Sequence, residues 1–201
     1  LDSRIYNYGG FLQEMALQDA INSLGYECEI IDYEVSQEFN TFSLKRGIKN
    51  FSFDKIKKKL TKEKTILLSN PVSDLITKRK RAFDKYRAHN LVLSKKMSYS
   101  DLHSIDLNYE QLVCGSDQIW NLNCTNGVCG PYFLNFVSGK RKIAYAPSMG
   151  DYLLLDNDRE KMRKALEEFY AISVREASMI QMLEQLNLPI SIQTVVDPTL
   201  L

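Results

Sequence analysis

Four short clusters in the sequence carry charged, amide and hydroxyl side chains that can form hydrogen bonds with a ligand. An arginine guanidinium matches the fork of a carboxylate or phosphate, and Asp, Gln and Ser side chains form hydrogen bonds with hydroxyl groups. If the fold brings the clusters together at one edge of a sheet, they predict a binding crevice there. The clusters are Gly115-Ser116-Asp117-Gln118, Ser148-Met149-Gly150, Arg175-Glu176 and Asp197-Pro198-Thr199.

A fifth segment, Asn7-Tyr8-Gly9-Gly10, comes immediately before a predicted helix. Adjacent glycines let the backbone approach a ligand closely. The N-terminus of the following helix offers free amide groups and the positive end of a dipole to an anion. We therefore expect this loop to join the four clusters.

Each of these segments also has a purely structural explanation. Asp117 is typical of a capped turn, and Asp197 before a proline is typical of a strand end. For Trp120, packing under a loop is favoured over stacking on a sugar. Arg175 could form an ion pair with Glu176. Taken singly, the structural explanations are favoured, whereas five polar segments on one sheet edge favour a binding crevice.

Hydrophobic periodicity predicts which elements position these segments. Strands that alternate with helices predict an α/β fold with a Rossmann-like, mostly parallel sheet and helices on both faces. Ligands of such a sheet bind outside the carboxyl ends of the strands, so the clusters would share one edge. The predicted helices are 11–24, 75–91, 158–169 and 177–186, and the predicted strands are 27–33, 111–114, 142–146, 170–174 and 191–196.

Length and charge predict one soluble domain without a nucleic-acid partner. The chain has 201 residues, 44% of them hydrophobic, and a net charge of +1. We expect a single domain over residues 1–201 with a basic helical insertion at about 36–109. The basic runs Lys57-Lys58-Lys59 and Lys78-Arg79-Lys80-Arg81 are typical of a solvated helix face. Contact with an anionic glycan carrier or a membrane surface is the alternative.

The four cysteines indicate a reduced, cytoplasmic protein without a metal site. Cys124 and Cys129 lie close together, but a structural zinc site needs about four ligands in two close pairs, and a second pair is missing. No signal peptide is evident, and no apolar run approaches the roughly 20 residues that cross a bilayer. Residues 1–5 are too polar for the strand expected before Asn7, which suggests that the start of the chain has been cut.

The order of the motifs resembles that of the polysaccharide pyruvyl transferase family. One departure is Pro147, which stands where the family more often has alanine. The matching segments are Asn7-Tyr8-Gly9-Gly10-Phe11-Leu12-Gln13, Gly115-Ser116-Asp117-Gln118-Ile119-Trp120-Asn121, Tyr132-Phe133-Leu134-Asn135-Phe136, Tyr145-Ala146-Pro147-Ser148-Met149-Gly150, Ser173-Val174-Arg175-Glu176 and Asp197-Pro198-Thr199-Leu200.

The resemblance implies transfer of pyruvate from phosphoenolpyruvate to two hydroxyls of a sugar or glycan, forming a ketal during cell-surface glycan biosynthesis. This chemistry requires no metal or redox cofactor. Arg175 is the leading candidate for contact with the donor, whereas His89 and His103 fall outside every matching motif. The candidate substrate-binding residues are Asn7, Tyr8, Gly9, Gly10, Gln13, Ser116, Asp117, Gln118, Ser148, Gly150, Arg175 and Asp197.

The resemblance also implies that part of the site lies elsewhere. Family members continue into a second Rossmann-like domain, so the chain resembles the N-terminal domain of a GT-B-like two-domain transferase. We expect that second domain beyond residue 201 and expect it to carry the catalytic acid and base. Residues 1–201 alone would then be inactive. Whether the acceptor is linked to a lipid or a nucleotide stays open. The alternatives are a nucleotide-sugar glycosyltransferase and a non-catalytic binding module for glycan assembly.

Overall fold

The computed structural model describes residues 7–33, 70–104, 109–125, 127–128, 130–138 and 141–201. The α-helices are α1 (Tyr8–Ser23), α2 (Asn70–Asn90), α3 (Tyr99–His103), α4 (Asp156–Leu166) and α5 (Ala177–Glu184), and the strands are β1 (Gln111–Cys114), β2 (Arg141–Ala144), β3 (Phe169–Val174) and β4 (Ile192–Thr194). Short 3-10 helices span Gly130–Phe133 and Pro198–Leu200. The predicted first strand, the Lys57-Lys58-Lys59 run and Cys129 lie outside the described residues.

The four strands form one parallel sheet in the order β1-β2-β3-β4. Val113 pairs with Ile143, Ala144 with Ile172, and Val174 with Thr194. Helix α4 connects β2 to β3, and α5 connects β3 to β4. The predicted α/β class with a parallel sheet is therefore confirmed, and the carboxyl ends of the four strands lie at one edge.

The core lies on one face of this sheet. Alternate strand residues such as Leu112, Ala144 and Val174 are buried, as the two-residue period of a strand requires. Trp120 is completely buried and stacks on Phe133, with ring centroids 5.5 Å apart and planes 8° from parallel. Its indole Nε1 donates a hydrogen bond to the Tyr132 carbonyl at 3.1 Å. Trp120 is thus a core residue and not a sugar platform.

Helix α1 begins earlier than the sequence pattern predicts. Asn7 is its N-cap residue, and the Asn7 side-chain Oδ1 accepts a hydrogen bond from the Gly9 amide at 3.1 Å. This cap compensates for the low helix propensity of the two glycines. Gly9 and Gly10 therefore lie in the first helical turn, and the prediction of a glycine loop before the helix is wrong.

Two other predicted boundaries are also wrong. Residues 27–33 form no regular strand but only isolated parallel bridges, from Ile30 to Leu93 and from Tyr33 to Met97. Strand β2 ends at Ala144, because Ala146 has a φ of 54°, which lies in the left-handed region and interrupts extended backbone.

Helices α1 and α2 pack side by side and run in the same direction. The Phe11 ring meets the Phe83 ring edge to face at a centroid distance of 5.9 Å. One turn further along both helices, the buried Arg87 guanidinium reaches Glu14 at 3.4 Å and Asp32 at 3.0 Å. Among the described helices, none is both long and apolar enough to cross a membrane.

We predict that Arg87→Met strongly destabilises this helix pair. The substitution leaves the buried Asp32 carboxylate without its cation, which typically costs about 3–5 kcal/mol. Urea denaturation followed by circular dichroism would measure the free energy of unfolding. Lys78→Met, which removes an exposed helix ion pair to Asp74, is the control and should change stability by less than about 0.5 kcal/mol. Equal effects of the two substitutions would contradict the prediction.

Candidate functional site

The carboxylate of Asp197 is the centre of a hydrogen-bonded cluster at the carboxyl edge of the sheet. Asp197 Oδ2 accepts hydrogen bonds from Gln13 Nε2 at 2.5 Å, Ser116 Oγ at 3.1 Å and Arg175 Nη1 at 2.9 Å. Asp197 Oδ1 accepts from the Thr199 amide at 3.0 Å and the Thr199 hydroxyl at 2.7 Å. We call Gln13, Ser116, Arg175 and Asp197 the Asp197 cluster.

The elements of the fold explain why these four residues meet. Ser116 follows β1 by two residues, Arg175 follows β3 directly, and Asp197 follows β4 by three residues. Gln13 lies in the second turn of α1. Since parallel strands end at the same edge, three members come from strand ends and one from the helix that packs beside them.

Arg175 forms hydrogen bonds with two carboxylates, and part of its side chain is exposed. Its Nε donates to Glu176 Oε1 at 2.9 Å, and its Nη1 donates to Asp197. Within the described part of the chain, Nη2 forms no hydrogen bond, and 26% of the side chain is exposed. Two carboxylates therefore fix the orientation of the guanidinium and leave Nη2 without a hydrogen bond to the described residues.

The protonation of Asp197 is set by its donors. Burial alone would raise its pKa, but hydrogen bonds from the Thr199 backbone and side chain, Gln13 and Arg175 hold the pKa far below its ordinary value. Burial would lower the pKa of Arg175, whereas its bonds to Glu176 and Asp197 raise it. Both groups are therefore charged at neutral pH, and the Asp197 carboxylate is too weakly basic to accept a proton from a substrate.

The loops after β1 and β2 are hydrogen-bonded to each other. The Ser148 amide donates to the Asp117 carbonyl at 2.8 Å, and the Trp120 amide donates to the Ser148 carbonyl at 3.2 Å. The buried Ser148 hydroxyl accepts from the Gly150 amide at 2.9 Å. Ser148 therefore stabilises its own loop, and no hydroxyl is presented to a ligand there.

Asp117 and Gln118 lie at the tip of the loop after β1. Asp117 has a φ of 95°, a strained conformation for a residue with a side chain. Its Oδ1 accepts from the Gln118 amide at 2.7 Å, which accounts for the capping role that its sequence position suggests. Gln118 Oε1 accepts from Asn121 at 3.2 Å. These bonds fix the direction of both side chains.

Gly150 has to be glycine where it approaches Gln118. Its φ is 57°, and a Cβ atom added to it would lie 3.1 Å from the Gln118 side-chain Cδ. Close approach between these two loops therefore depends on the absence of a side chain at position 150.

The N-terminus of α1 lies beside α2. The exposed Tyr8 ring meets Phe83 edge to face at 5.6 Å, and the Arg79 guanidinium lies 5.4 Å from the centre of the Tyr8 ring. Gln13 connects α1 to the Asp197 cluster. No described hydrogen bond links Asn7, Gly9 or Gly10 to that cluster, so the structure joins only part of the residues that the sequence groups together.

Three neighbours of the cluster occur in the sequence motifs but are not among the candidate substrate-binding residues. Thr199 supplies two of the bonds to Asp197. Glu176 holds Arg175, and its Oε2 is buried with no hydrogen-bond partner among the described residues. The Tyr145 hydroxyl donates to the Val196 carbonyl at 3.2 Å, and burial raises the pKa of Tyr145. The signal for Tyr145 was its position immediately after β2.

Other reactive side chains lie apart from the cluster. Burial raises the pKa of Cys114 to about 12, so its thiol stays protonated. His89 lies in the last turn of α2, and His103 is the last residue of α3. In the described ranges, neither histidine contacts the cluster, and no group of three His, Cys, Asp or Glu residues could hold a metal ion.

Comparison with known proteins gave one match. The family model described as Polysaccharide pyruvyl transferase matches residues 7–201. Searches of curated proteins and of solved structures gave no significant match.

We predict that Gly150→Ala destabilises the protein more than Gly25→Ala. Both glycines have positive φ, but a Cβ atom at Gly25 meets nothing within 4 Å. Positive φ costs about 1 kcal/mol at either position, and the contact with Gln118 adds about 1 kcal/mol at Gly150. Urea denaturation would measure both losses. Gln118→Ala should recover the additional loss in Gly150→Ala, and a lack of recovery would contradict the steric explanation.

We predict that Asp197→Asn lowers the free energy of unfolding by about 2 kcal/mol at neutral pH, because several hydrogen bonds to a charged acceptor are weakened. Asp197 has a lower pKa when folded than when unfolded, so its contribution is complete above the unfolded pKa of roughly 4. That contribution declines as the pH falls below this value. Urea denaturation from pH 7 to pH 3 should show the wild-type advantage constant down to about pH 5 and then shrinking. A gap that widens in acid would contradict the assignment.

Proposed function

The chain belongs to the polysaccharide pyruvyl transferase family, and on that premise we propose that it binds phosphoenolpyruvate for pyruvyl transfer to sugar hydroxyls. The observation that supports this most directly is the Arg175 guanidinium at the carboxyl edge of the sheet. It is fixed by Glu176 and Asp197, and its Nη2 has no partner among the described residues. An arginine in this state is prepared to bind an anion without reorganisation.

The proposed reaction defines what a complete site must supply. A proton is added to the methylene carbon of phosphoenolpyruvate, which leaves a cationic centre at the adjacent carbon. Two sugar hydroxyls bond to that carbon and lose their protons, while the bond to phosphate breaks. The products are a cyclic ketal and inorganic phosphate. An acid, a base and groups that hold the donor's carboxylate and phosphate are therefore needed.

We assign Arg175 to hold one anionic group of the donor, either its carboxylate or its phosphate. A guanidinium offers directed N–H donors to such a group, and hydrogen bonds to charged partners are stronger than neutral ones. Within this proposal Asp197 positions Arg175, because both of its carboxylate oxygens are engaged in hydrogen bonds that hold the cluster together. Gln13 and Ser116 then hold Asp197 in place.

The charge of this region argues that Arg175 does not bind the donor alone. The formal charges of Arg175, Glu176 and Asp197 sum to one negative charge, and the donor is itself an anion. Further cations or amide donors must therefore approach the same space. The first turn of α1, with Gly9 and Gly10, is our candidate within this chain. The expected second domain is our candidate for the remaining cations and for the catalytic acid and base.

We assign Asp117 and Gln118 to the acceptor. Asp117 uses one carboxylate oxygen in a hydrogen bond to the Gln118 amide, so its other oxygen can accept from a sugar hydroxyl. The Gln118 amide nitrogen can donate to such a hydroxyl. We further propose that the reaction takes place in the cytoplasm during assembly of cell-surface glycans. The acceptor is then a sugar or glycan, either free or attached to a lipid or nucleotide carrier.

We predict that Arg175→Ala weakens phosphoenolpyruvate binding by roughly 10- to 100-fold, the usual loss for a charge-assisted hydrogen bond. Arg175→Lys should retain part of the affinity, since it keeps the charge without the fork. Isothermal titration with the full-length protein would measure both. Arg163→Ala is the control, because Arg163 also lies between two carboxylates, Glu160 and Glu167, but on the exposed side of α4. Equal affinities of Arg175→Ala and the wild type would refute the assignment.

The released product separates the alternative functions. Pyruvyl transfer consumes phosphoenolpyruvate and releases inorganic phosphate, whereas a nucleotide-sugar glycosyltransferase releases a nucleotide. A non-catalytic binding module would bind glycan and release neither. A phosphate-release assay of the full-length protein with phosphoenolpyruvate and candidate sugar acceptors therefore identifies pyruvyl transfer, and a nucleotide-release assay with nucleotide-sugar donors separates the other two.

A further inference from the structure

Helix α2 extends past the end of the helix on which it packs. Tyr8, the first residue of α1, lies against Arg79 and Phe83 of α2, so the part of α2 before Arg79 has no turn of α1 beside it. Leu75 comes one turn, roughly 6 Å, before Arg79. Since α1 begins at the edge of the sheet that carries the Asp197 cluster, α2 projects beyond that same edge.

The projecting part of α2 exposes two large apolar side chains. Leu75 is 65% exposed and Ile76 is 50% exposed. Leu75 lies one turn before Arg79, and Ile76 lies two turns before Phe83, so both belong to the helix face that packs on α1. The apolar face of α2 therefore continues beyond α1 as an exposed apolar patch.

Four consecutive cations accompany this patch. Lys78, Arg79, Lys80 and Arg81 are all exposed, and one carboxylate, Asp74, pairs with Lys78 at 2.8 Å. Arg79 lies against Tyr8. Lys78 and Lys80 lie on the two flanks of the apolar face, whereas Arg81 lies on the opposite side of the helix. An exposed helix end with apolar residues on one face and cations beside them matches a bilayer surface that is apolar beneath an anionic layer.

We propose that residues 75–81 of α2, which we call the α2 tip, dock the protein on an anionic membrane surface. Leu75 and Ile76 enter the boundary between headgroups and acyl chains, and Lys78 and Lys80 contact the anionic headgroups. The membrane then lies beside the edge of the sheet that carries the Asp197 cluster. Docking does not depend on the proposed pyruvyl transfer, so it can be tested separately.

The test is co-sedimentation of the full chain with two kinds of vesicle. One kind is phosphatidylcholine alone, and the other contains equal amounts of phosphatidylcholine and phosphatidylglycerol. We expect binding to the anionic vesicles, weakened by added salt. Each basic residue near an anionic surface contributes roughly a fivefold gain in partitioning, so Lys78→Gln/Lys80→Gln should reduce binding roughly 25-fold.

A matched variant controls for the loss of net charge. Lys161 and Lys164 are exposed on α4 and lie outside the α2 tip. Lys161→Gln/Lys164→Gln removes the same charge and should retain binding. Leu75→Ser/Ile76→Ser keeps every charge and should still reduce binding at least tenfold. Circular dichroism would establish that all three variants are folded.

Several outcomes would overturn the proposal. They are equal binding to both kinds of vesicle, no binding to either, and equal losses in the α2-tip variant and its charge-matched control. Unchanged binding of Leu75→Ser/Ile76→Ser would also overturn it. Binding to homopolymeric RNA should be measured as well. If the protein binds RNA through the same lysines but does not bind anionic vesicles, the basic run is a nucleic-acid contact and membrane docking is refuted.

Discussion

The hydrogen bonds to the Asp197 carboxylate are the interaction on which the candidate site depends. They connect α1, the ends of β1 and β3, and the segment after β4, so one side chain joins parts of the chain that are far apart in sequence. An ionised carboxylate with donors on both oxygens is costly to disturb, because every partner would lose a charged acceptor. The position of Arg175 is therefore a property of the whole sheet edge and not of its own short loop.

The loops after β1 and β2, which lie beside this cluster, contain residues in strained backbone conformations. Asp117 and Ala146 both have positive φ, although neither is glycine, and Gly150 has positive φ as well. Such conformations persist only where the surrounding structure enforces them. Here the enforcement comes from hydrogen bonds between the two loops and from the completely buried Trp120 beneath them. The packing of the core thus determines the direction of the polar side chains at the sheet edge.

The sequence predicted the strand-end residues better than the helix and strand limits. Periodicity and the parallel-sheet rule were sufficient to place Ser116, Arg175 and Asp197 at one edge. The bond between Gln13 and Asp197 joins residues 184 positions apart, and no local pattern encodes such a contact. The helical position of Gly9 and Gly10 depends on the Asn7 cap, which outweighs glycine propensity. Residues 27–33 have strand composition, yet their pairing depends on a distant partner segment and yields only isolated bridges.

The fixed charges of Asp197 and Arg175 have a consequence for kinetics. The pKa of Asp197 lies far below neutrality and the pKa of Arg175 is raised further above it. Neither group gains or loses a proton across the range in which enzymes are usually assayed. Any rise or fall in the rate of a turnover reaction between mildly acidic and mildly alkaline pH must therefore report on other groups, such as the phosphate of the donor or an acid and base elsewhere. A pH–rate profile would thus be read without correction for this cluster.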